Sequence, residues 1–384
     1  MEGRLFSYDP RLRSPLRAQG TESEARPPLK VALVGPLPPP PGGMANQCRQ
    51  LADLLESEGV QVRRVRTNAP YRPEWAGKIQ FVRAPARLLP FLADLWNACG
   101  TVDVVHIFAN SGWMWHLVAA PAIRFARMRG VPVIVNYRGG GAAEFFAKAP
   151  PWVKRSAASA NALIVPSGYL REVFERFGLT AQIIPNIIDV ERFKPREQTN
   201  AAPGPHIVVT RNLEPIYDIG TAIRAFAIVR RTHSGARLTI AGKGPDLAAL
   251  TELCKSLQVQ DAVTFVGAID NKAIAALYDS AHVFLNTSLV DNMPISVLEA
   301  FASGVPVVST NVGGIPYIAE NERTALLVGP GQPEACAQAI LRVLGEPQLA
   351  KALVTAGLEE SQRYSWQAVS RLWLGEYARH VHCK

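Results

Sequence analysis

Short apolar runs alternate with helix-length amphipathic stretches along most of this chain. The first apolar run covers residues 30–35, and a helical pattern follows over about 45–58. Strands buried on both faces of a parallel sheet show such near-continuous apolar runs. Further elements of this half are predicted as strands over 61–66, 102–108, 132–137, 163–166 and 182–185, with a helix over 114–129. The alternation predicts a doubly wound parallel sheet.

The pattern breaks over residues 191–205, which are rich in charge, Pro, Asn and Ala, and then begins again. Strands of the second series are predicted over 206–210, 237–242, 262–266, 283–286, 305–309 and 325–328. Its helices are predicted over 219–232, 246–256, 272–280 and 296–303, and an amphipathic helix over 365–380 closes the chain. The fold class is therefore α/β, with two Rossmann-like doubly wound domains facing a central cleft.

The predicted organisation has five parts. They are a flexible N-terminal tail over 1–28, a first domain over 29–190, a linker over 191–205, a second domain over 206–364 and a terminal helix over 365–384. A length of 384 residues suits two domains. The opening residues lack an apolar core, so we expect no signal peptide. The two uncharged stretches over 104–123 and 300–319 are broken by polar residues, Gly and Pro, so they predict buried cores rather than membrane spans.

Composition excludes several classes of protein. Hydrophobic residues make up 48% of the chain and charged residues 19%, which rules out long disorder and collagen-like repeats. The 5 cysteines are odd in number and scattered, which indicates reduced thiols in a cytoplasmic protein rather than a disulfide framework. Neither they nor the 7 histidines show a metal-ligand spacing, so we expect no bound metal.

The net charge of +9 is concentrated in the first half. Residues 29–200 carry 21 basic and 12 acidic side chains, and seven basic residues stand against Glu74 alone over 61–90. Such a surface suits an anionic membrane or a phosphate-bearing ligand, although an ordinary solvated face has the same composition. The stretch 81–96 mixes arginines with large apolar residues, and it either docks on a membrane or forms a buried helix, since Pro85 and Pro90 would interrupt a long one. We expect no nucleic-acid partner.

Two glycine turns follow predicted strands. Gly42 and Gly43 lie between the first strand and the first helix, where backbone N–H groups favour an anion such as a diphosphate. Lys243 and Gly244 occupy the equivalent place in the second half. Each turn fits either a ligand-binding loop or a plain tight turn.

The segment 290–300 is the most informative part of the chain. Asp291 and Glu299 are separated by seven residues, and Pro294 leads into a helix. This spacing lets two carboxylates bind hydroxyl-rich parts of one ligand while the helix N-terminus supplies N–H groups for a phosphate. A helix-capping arrangement would have the same spacing.

This segment resembles the donor-site signature of family 4 glycosyltransferases, Glu-x7-Glu. The resemblance continues through Ala300-Phe-Ala-Ser-Gly-Val-Pro-Val-Val-Ser309 and Gly313-Gly-Ile-Pro316, and it includes Ile184-Pro-Asn-Ile-Ile-Asp189, Ala241-Gly-Lys-Gly-Pro245 and Tyr364-Ser-Trp366. It covers the chain from about residue 30 to the end and implies the GT-B fold. In that fold the first domain holds the acceptor and the second the nucleotide-sugar donor.

The resemblance implies a role for each matching residue. Glu299 would bind the ribose, Asp291 the sugar hydroxyls, and the backbone at Ser296 and Val297 the diphosphate, whose charge Arg211 would neutralise without a metal. The implied catalytic residues are Arg211, Asp291 and Arg138. The implied donor-binding residues are Gly42, Gly43, Arg211, Tyr217, Lys243, Gly244, Asp291, Asn292, Met293, Pro294, Ile295, Ser296, Val297 and Glu299.

Three departures from the family pattern affect the predicted chemistry. Asp291 is one methylene shorter than the family's glutamate. Tyr217 stands where a lysine usually follows the family arginine, and Lys243 compensates only if it folds inward. Arg138 stands where the family often has a histidine, so it meets a phosphate rather than acting as a general base.

The acceptor side is predicted less sharply. Its candidate residues are Arg138, Gly139, Glu144 and Trp113. Trp113 and Trp115 suit either stacking on a sugar acceptor or packing in the core. Packing in the core is the favoured interpretation for both. His106 lies within an apolar strand, which is typical of a core histidine.

Taken together, the resemblance implies a retaining glycosyltransferase that uses a nucleotide diphosphate sugar and no other cofactor. The acceptor would be a glycan or a lipid-linked sugar of cell-surface polysaccharide synthesis. The protein would be cytoplasmic, with peripheral contact to the inner face of the membrane through its first domain. Two alternatives stay open, namely a nucleotide-sugar isomerase of the same fold and a non-catalytic nucleotide-sugar binder. A dinucleotide-dependent oxidoreductase is disfavoured because no complete G-x-G-x-x-G follows the first strand.

Overall fold

The computed structural model describes residues 28–39, 42–71, 73–79, 81–195 and 204–381. Apolar runs of the first half form a parallel sheet of six strands in the order β2-β1-β3-β4-β5-β6. The strands are β1 (Lys30–Gly35), β2 (Gln61–Arg66), β3 (Val104–Ala109), β4 (Val133–Tyr137), β5 (Ala162–Val165) and β6 (Gln182–Ile183). All residues of β3 and β4 are buried, as expected for central strands covered on both faces.

Helices pack on both faces of this sheet. They are α1 (Gly43–Ser57), α2 (Arg83–Cys99), α3 (Ala120–Met128), α4 (Ala142–Lys148), α5 (Pro151–Ala158) and α6 (Gly168–Arg176). A 3₁₀ turn at Glu74–Gly77 precedes α2, and a π-helical turn at Trp115–Ala119 precedes α3. The expected interruption of α2 by its prolines was wrong, because Pro90 lies inside a continuous helix of 17 residues whose other face buries Phe91 and Leu95.

The second half forms another parallel sheet of six strands, in the order β12-β11-β10-β7-β8-β9. The strands are β7 (His206–Val209), β8 (Arg237–Ala241), β9 (Val263–Gly267), β10 (Val283–Asn286), β11 (Val307–Thr310) and β12 (Leu326–Val328). Its helices are α7 (Ile219–Thr232), α8 (Leu247–Ser256), α9 (Asn271–Asp279), α10 (Ile295–Ala302), α11 (Pro333–Gly345) and α12 (Pro347–Gln362). The predicted α/β class with two Rossmann-like sheets is confirmed.

The last helix, α13 (Trp366–Val381), packs on the first sheet. Val369, Trp373 and Tyr377 recur every four residues, so they share one helix face and lie in the same core cluster as Val31 and Leu33 of β1. The chain crosses in the opposite direction around the start of the predicted linker, since Ile188 and Phe193 belong to a core cluster of the second domain. The predicted tail over 1–28 lies outside the described residues except for residue 28, as do residues 196–203 of the predicted linker.

The carboxyl ends of both sets of strands border a cleft of about 1100 Å³ between the two sheets. Loops at this edge carry the side chains of the candidate site, as in other doubly wound proteins.

Candidate functional site

Arg211, which follows β7, is the central charge on the second-domain wall of the cleft. Its guanidinium forms an ion pair with Asp291, and its Nε donates to Asn286 Oδ1 at 3.1 Å. Asn286 ends the adjacent strand β10, and its Nδ2 donates to Ser309 Oγ of β11 at 2.9 Å. Three neighbouring strand ends therefore fix the direction of one arginine fork.

Asp291 is largely buried, with 14% of its side chain exposed, against 13% for Arg211. Burial raises the pKa of Asp291 above its ordinary value, and the nearby positive charge of Arg211 offsets part of that rise. Its Oδ1 also accepts from the backbone N–H of Asn292 at 2.9 Å. The carboxylate expected to bind sugar hydroxyls is thus held by the arginine expected to bind diphosphate.

Glu299 belongs to α10 and lies on the side of that helix that faces the cleft. The Tyr278 hydroxyl of α9 lies 3.2 Å from Glu299 Oε2 and 2.8 Å from Thr210 Oγ1, so it joins the carboxylate to the end of β7. Burial raises the pKa of Glu299 to about 7, although the hydrogen bond from Tyr278 opposes the rise. Glu299 therefore changes charge near neutral pH while it lines the cleft.

The N-terminus of α10 forms part of the same cleft wall, where it presents backbone groups. Pro294 is its N-cap, and no side-chain hydrogen bond caps the helix in the described structure. Ser296 lines the cleft, and its Oγ is buried with no hydrogen-bond partner among the described residues. The side chain of Val297 lies in the core, and its backbone N–H, which was predicted to meet a diphosphate, donates to Pro294 O at 3.1 Å.

Two glycines, Gly313 and Gly314, pack against the backbone of the loop that carries Asp291. The N–H of Gly314 donates to Asp291 O at 2.8 Å. A Cβ at Gly314 would collide with the carbonyl of Asn292, and Gly313 has a φ of +53°, which side chains rarely adopt. Both glycines therefore permit the close backbone contact that positions Asp291.

Arg138, which follows β4, faces the cleft from the first domain. Its Nε donates to Asn136 Oδ1 at 2.9 Å, its guanidinium bonds to the Asn186 side chain, and its carbonyl accepts from Asn292 Nδ2 at 3.2 Å. Burial lowers the pKa of Arg138 to about 10, which leaves it charged at neutral pH. It therefore serves as a fixed cation where the two domains meet.

A buried hydrogen-bonded chain positions Arg138 from α13. Asn136 Nδ2 lies 3.0 Å from His106 Nε2, and His106 Nδ1 lies 2.7 Å from Tyr377 Oη. Since the amide can only donate there, Nε2 accepts and the proton sits on Nδ1, which donates to Tyr377. Burial and then the charge of Arg138 hold the pKa of His106 well below its ordinary value, so the ring is neutral.

The structure brings most predicted donor residues together. Residues of the predicted set that line the cleft are Gly42, Gly43, Arg138, Glu144, Arg211, Tyr217, Asp291, Asn292, Met293, Pro294, Ile295, Ser296 and Glu299. The Arg211 guanidinium lies over the Tyr217 ring, and its central carbon is 5.2 Å from the ring centroid. Tyr217 therefore supports the arginine by a cation–π contact instead of adding a second positive charge.

Four predicted residues lie outside the cleft lining, in addition to Val297. Lys243 is exposed and lies beside Gly267, so it does not fold inward to replace the missing lysine. Gly244 packs on the backbone of Leu213, Gly139 is buried against Asn110, and Trp113 is 77% exposed outside the cleft. The exposure of Trp113 contradicts the favoured core interpretation, which holds only for Trp115.

Sequence reasoning missed Tyr278, Asn186 and Asn286. Asn186 lies in the segment 184–189 that carries part of the family resemblance, but no role was assigned to it there, and Tyr278 and Asn286 lie in no segment whose spacing indicates a ligand. Each of the three orients a charged neighbour. Among the residues that the structure describes, no three His, Cys, Asp or Glu side chains are grouped to hold a metal ion, and no helix has the length and apolar character needed to span a bilayer.

Comparisons with known proteins follow the two halves of the fold. The sequence model described as Glycosyltransferase Family 4 matches residues 41–192, and that described as Glycosyl transferases group 1 matches residues 191–360. The chain belongs to glycosyltransferase family 4. Its GT-B fold agrees with solved structures, including sucrose-phosphate synthase from Thermosynechococcus elongatus, at 22% identity and a TM-score of 0.73 over 92% of this chain and 99% of that one.

Proteins similar to this chain in sequence or in fold have names that indicate different activities and ligands. The chain is 29% identical to a glycogen synthase of Mycobacterium tuberculosis over 70% of this chain and 66% of that protein. It is 30% identical to a GDP-mannose-dependent phosphatidylinositol monomannoside mannosyltransferase of the same species, over 53% of this chain and 58% of that protein. The Anabaena protein HepE, whose structure was solved in complex with UDP-glucose, has the same fold, with a TM-score of 0.72 at 16% sequence identity. The similarity covers 93% of this chain and 100% of that one. The matches thus span about two thirds or less of these curated relatives.

Proposed function

We propose that the protein is a retaining glycosyltransferase that moves a sugar from a nucleotide diphosphate donor to a glycan or lipid-linked acceptor. One observation carries the proposal: Arg211, Asp291, Glu299 and the open N-terminus of α10 converge on one wall of the interdomain cleft. A cation and free N–H groups suit a diphosphate, and two carboxylates suit ribose and sugar hydroxyls. Cell-surface polysaccharide synthesis is the proposed setting.

In this mechanism the ligand reorganises the Arg211–Asp291 pair. The diphosphate takes one edge of the Arg211 fork, and Asp291 is released to accept from the sugar hydroxyls. As the bond between sugar and phosphate breaks, negative charge builds on the leaving diphosphate, where the preoriented Arg211 and the α10 N–H groups stabilise it. The acceptor oxygen attacks from the same face of the sugar and gives its proton to the leaving diphosphate oxygen, so the anomeric configuration is retained. Arg138 faces this position from the first domain, and the scheme requires no metal.

The proposal includes peripheral contact with an anionic membrane. Large apolar side chains are exposed in one stretch of the first domain: Trp75 at 57%, Ile79 at 45%, Phe81 at 87% and Leu89 at 65%. Lys78 and Arg83 are exposed among them. Aromatic and basic side chains on one surface suit a membrane interface, which would bring a lipid-linked acceptor to a cytoplasmic enzyme.

Thermal stabilisation by nucleotides tests the donor site. We expect one of UDP, GDP or ADP, at about 100 times its dissociation constant, to raise stability by roughly 2.7 kcal/mol. The shift should vanish in Glu299→Ala and persist in Glu334→Ala, a carboxylate in the first turn of α11 outside the cleft lining. A shift that survives in Glu299→Ala contradicts the assigned site. A turnover assay separates the two alternatives. In that assay, donor consumption without sugar release would indicate the isomerase, and donor binding without turnover would indicate the non-catalytic binder.

Donor affinity should depend on pH through Glu299. Only the ionised carboxylate accepts from both ribose hydroxyls, and its pKa in the free protein is about 7. We therefore expect UDP-glucose or GDP-mannose, whichever binds, to bind roughly tenfold more weakly at pH 6 than at pH 8. Isothermal titration calorimetry across this range measures the effect, and Glu299→Gln should show a flat profile. A wild-type profile as flat as that of the variant would contradict the role.

The same pKa has the opposite consequence for the ligand-free protein. Its value in the fold lies above the ordinary value of 4.5, so the folded chain binds more protons than the unfolded chain between these pH values. The contribution of Glu299 to folding stability therefore falls as pH rises from 4.5 to about 7. Affinity for the donor and stability without it move in opposite directions, which separates the two effects experimentally.

A further inference from the structure

Arg138 is a cation that has no counter-ion among the described residues. Its Nε and Nη1 donate to the side-chain oxygens of Asn136 and Asn186, but both acceptors are neutral amides. The charge of a Cys48 thiolate would favour the cation, yet burial raises the pKa of that thiol to about 12, so the thiol is neutral at pH 7. The other arginine fork of the cleft, Arg211, is instead paired with a carboxylate.

One nitrogen of this guanidinium is left for a ligand. Arg138 lines the cleft, and within the described part of the chain its Nη2 has no hydrogen-bond acceptor. A cation shielded from water is costly when no anion compensates it, and a bound anion relieves that cost. Hydrogen bonds from a guanidinium to an anionic oxygen are also about twice as strong as those to a neutral one. The free edge of Arg138 therefore favours an anionic group of the substrate.

The contacts of Arg138 place it beside the loop that we assign to the sugar. Its carbonyl accepts from Asn292 Nδ2 at 3.2 Å. Its partner Asn186 donates through Nδ2 to Met293 O at 3.0 Å. Asn292 and Met293 directly follow Asp291, the carboxylate proposed to bind the sugar hydroxyls. Arg138 thus faces the sugar end of the donor from the opposite domain.

We propose that the donor is the nucleotide diphosphate of an acidic sugar whose carboxylate binds Arg138, and the inference rests on the proposed transferase function. The diphosphate already meets Arg211 and the N-terminus of α10, so the second domain supplies the groups that stabilise it. A hexuronic acid carries one further negative charge, on the sugar itself. That carboxylate supplies the counter-ion that Arg138 lacks, whereas the hydroxyls of a neutral hexose leave the cation uncompensated.

Matched pairs of donors test the proposal by isothermal titration calorimetry. The pairs are UDP-glucuronate with UDP-glucose, UDP-galacturonate with UDP-galactose, GDP-mannuronate with GDP-mannose, and ADP-glucuronate with ADP-glucose. We expect the acidic member of at least one pair to bind the wild type at least tenfold more tightly than the neutral member. Arg138→Gln should remove this preference. Arg138→Lys keeps the charge without the planar fork, so part of the preference should remain.

Arg49→Gln is the matched control. Arg49 also lines the cleft from the first domain, but it is exposed to water, which screens its charge. This variant should keep the preference for the acidic sugar. Circular dichroism of the three variants confirms that each is folded, and Arg138→Lys serves as the second test of the same position.

The other outcomes overturn the proposal. Equal affinity for both members of every pair contradicts an acidic donor and leaves the donor site itself intact. A preference that survives in Arg138→Gln, or that Arg49→Gln removes equally, contradicts the role of Arg138. If Arg138→Gln weakens the binding of UDP, GDP or ADP as much as that of the acidic sugar, the diphosphate is its ligand instead. Absence of binding by every nucleotide and nucleotide sugar contradicts the proposed function, and the acidic donor with it.

Discussion

Replacing Arg211 with alanine is expected to lower kcat for sugar transfer by roughly 10²–10³-fold, the range measured when one preoriented donor to a developing anion is removed. The reason is geometric as well as electrostatic. Asn286 holds the Nε edge of the guanidinium before substrate binds, so the fork keeps its direction when Asp291 is released to the sugar hydroxyls, and little reorientation is needed as charge develops. The fork is also 13% exposed, which limits screening by water. Initial rates with saturating donor and acceptor measure kcat directly.

The variant set separates catalysis from folding. Arg211→Lys keeps the charge but loses the two-pronged fork, so it should recover only part of the rate. Arg230→Ala is the matched control, because Arg230 also pairs with an aspartate, Asp261, but at the outer surface. It should leave kcat within twofold of the wild type. Equal losses in Arg211→Ala and Arg230→Ala would show that the arginine pair serves stability rather than chemistry.

The fold class could be predicted because the strands are short, apolar and bounded by turns. The whole of β3 and of β10 is buried, so tertiary structure agrees there with the local pattern. Pro90 shows where local rules failed. The proline is exposed, and the helix continues past it because Phe91, Leu95 and Ala98 on the opposite face pack into the core. Tertiary packing outweighs the one backbone hydrogen bond that proline removes. Helices α11 and α12 were not predicted at all.

The sequence identified many residues of the candidate site but not the contacts between them. The spacing of Asp291 and Glu299 indicated two carboxylates, yet nothing in the sequence places Asp291 against Arg211, 80 residues away. That pair forms because β7 and β10 are neighbours in the sheet, and strand order cannot be seen in one sequence. The outward direction of Lys243 has a similar origin. The backbone of its turn is tied to Leu213, whose N–H donates to Lys243 O at 3.0 Å.

Trp373→Ala should destabilise the first domain by about 3 kcal/mol, although residue 373 lies far beyond that domain in the chain. Trp373 is fully buried against the first sheet, and its ring lies 4.6 Å from that of His106. Large-to-small changes of buried aromatics cost roughly 3–5 kcal/mol. The lower end is expected because the indole Nε1 is buried with no partner among the described residues, so its removal relieves an unsatisfied donor. Hydrogen exchange of β1 and β3 reports the loss in the first domain.

Leu372→Ala is the matched control, because Leu372 is the adjacent residue of α13 and is 46% exposed. It should change stability by less than about 0.5 kcal/mol, as is usual for surface positions. In Trp373→Ala the nucleotide-dependent stabilisation of the second domain should persist, since donor groups such as Arg211 and Glu299 lie on the other sheet's edge. Exchange that quickens in the second domain instead would contradict the assignment of α13 to the first core. Equal effects of the two substitutions would show that the helix contributes no buried face. Only selective loss in β1 and β3 agrees with a terminal helix that completes the first domain and, through Tyr377 and His106, holds Arg138 at the cleft.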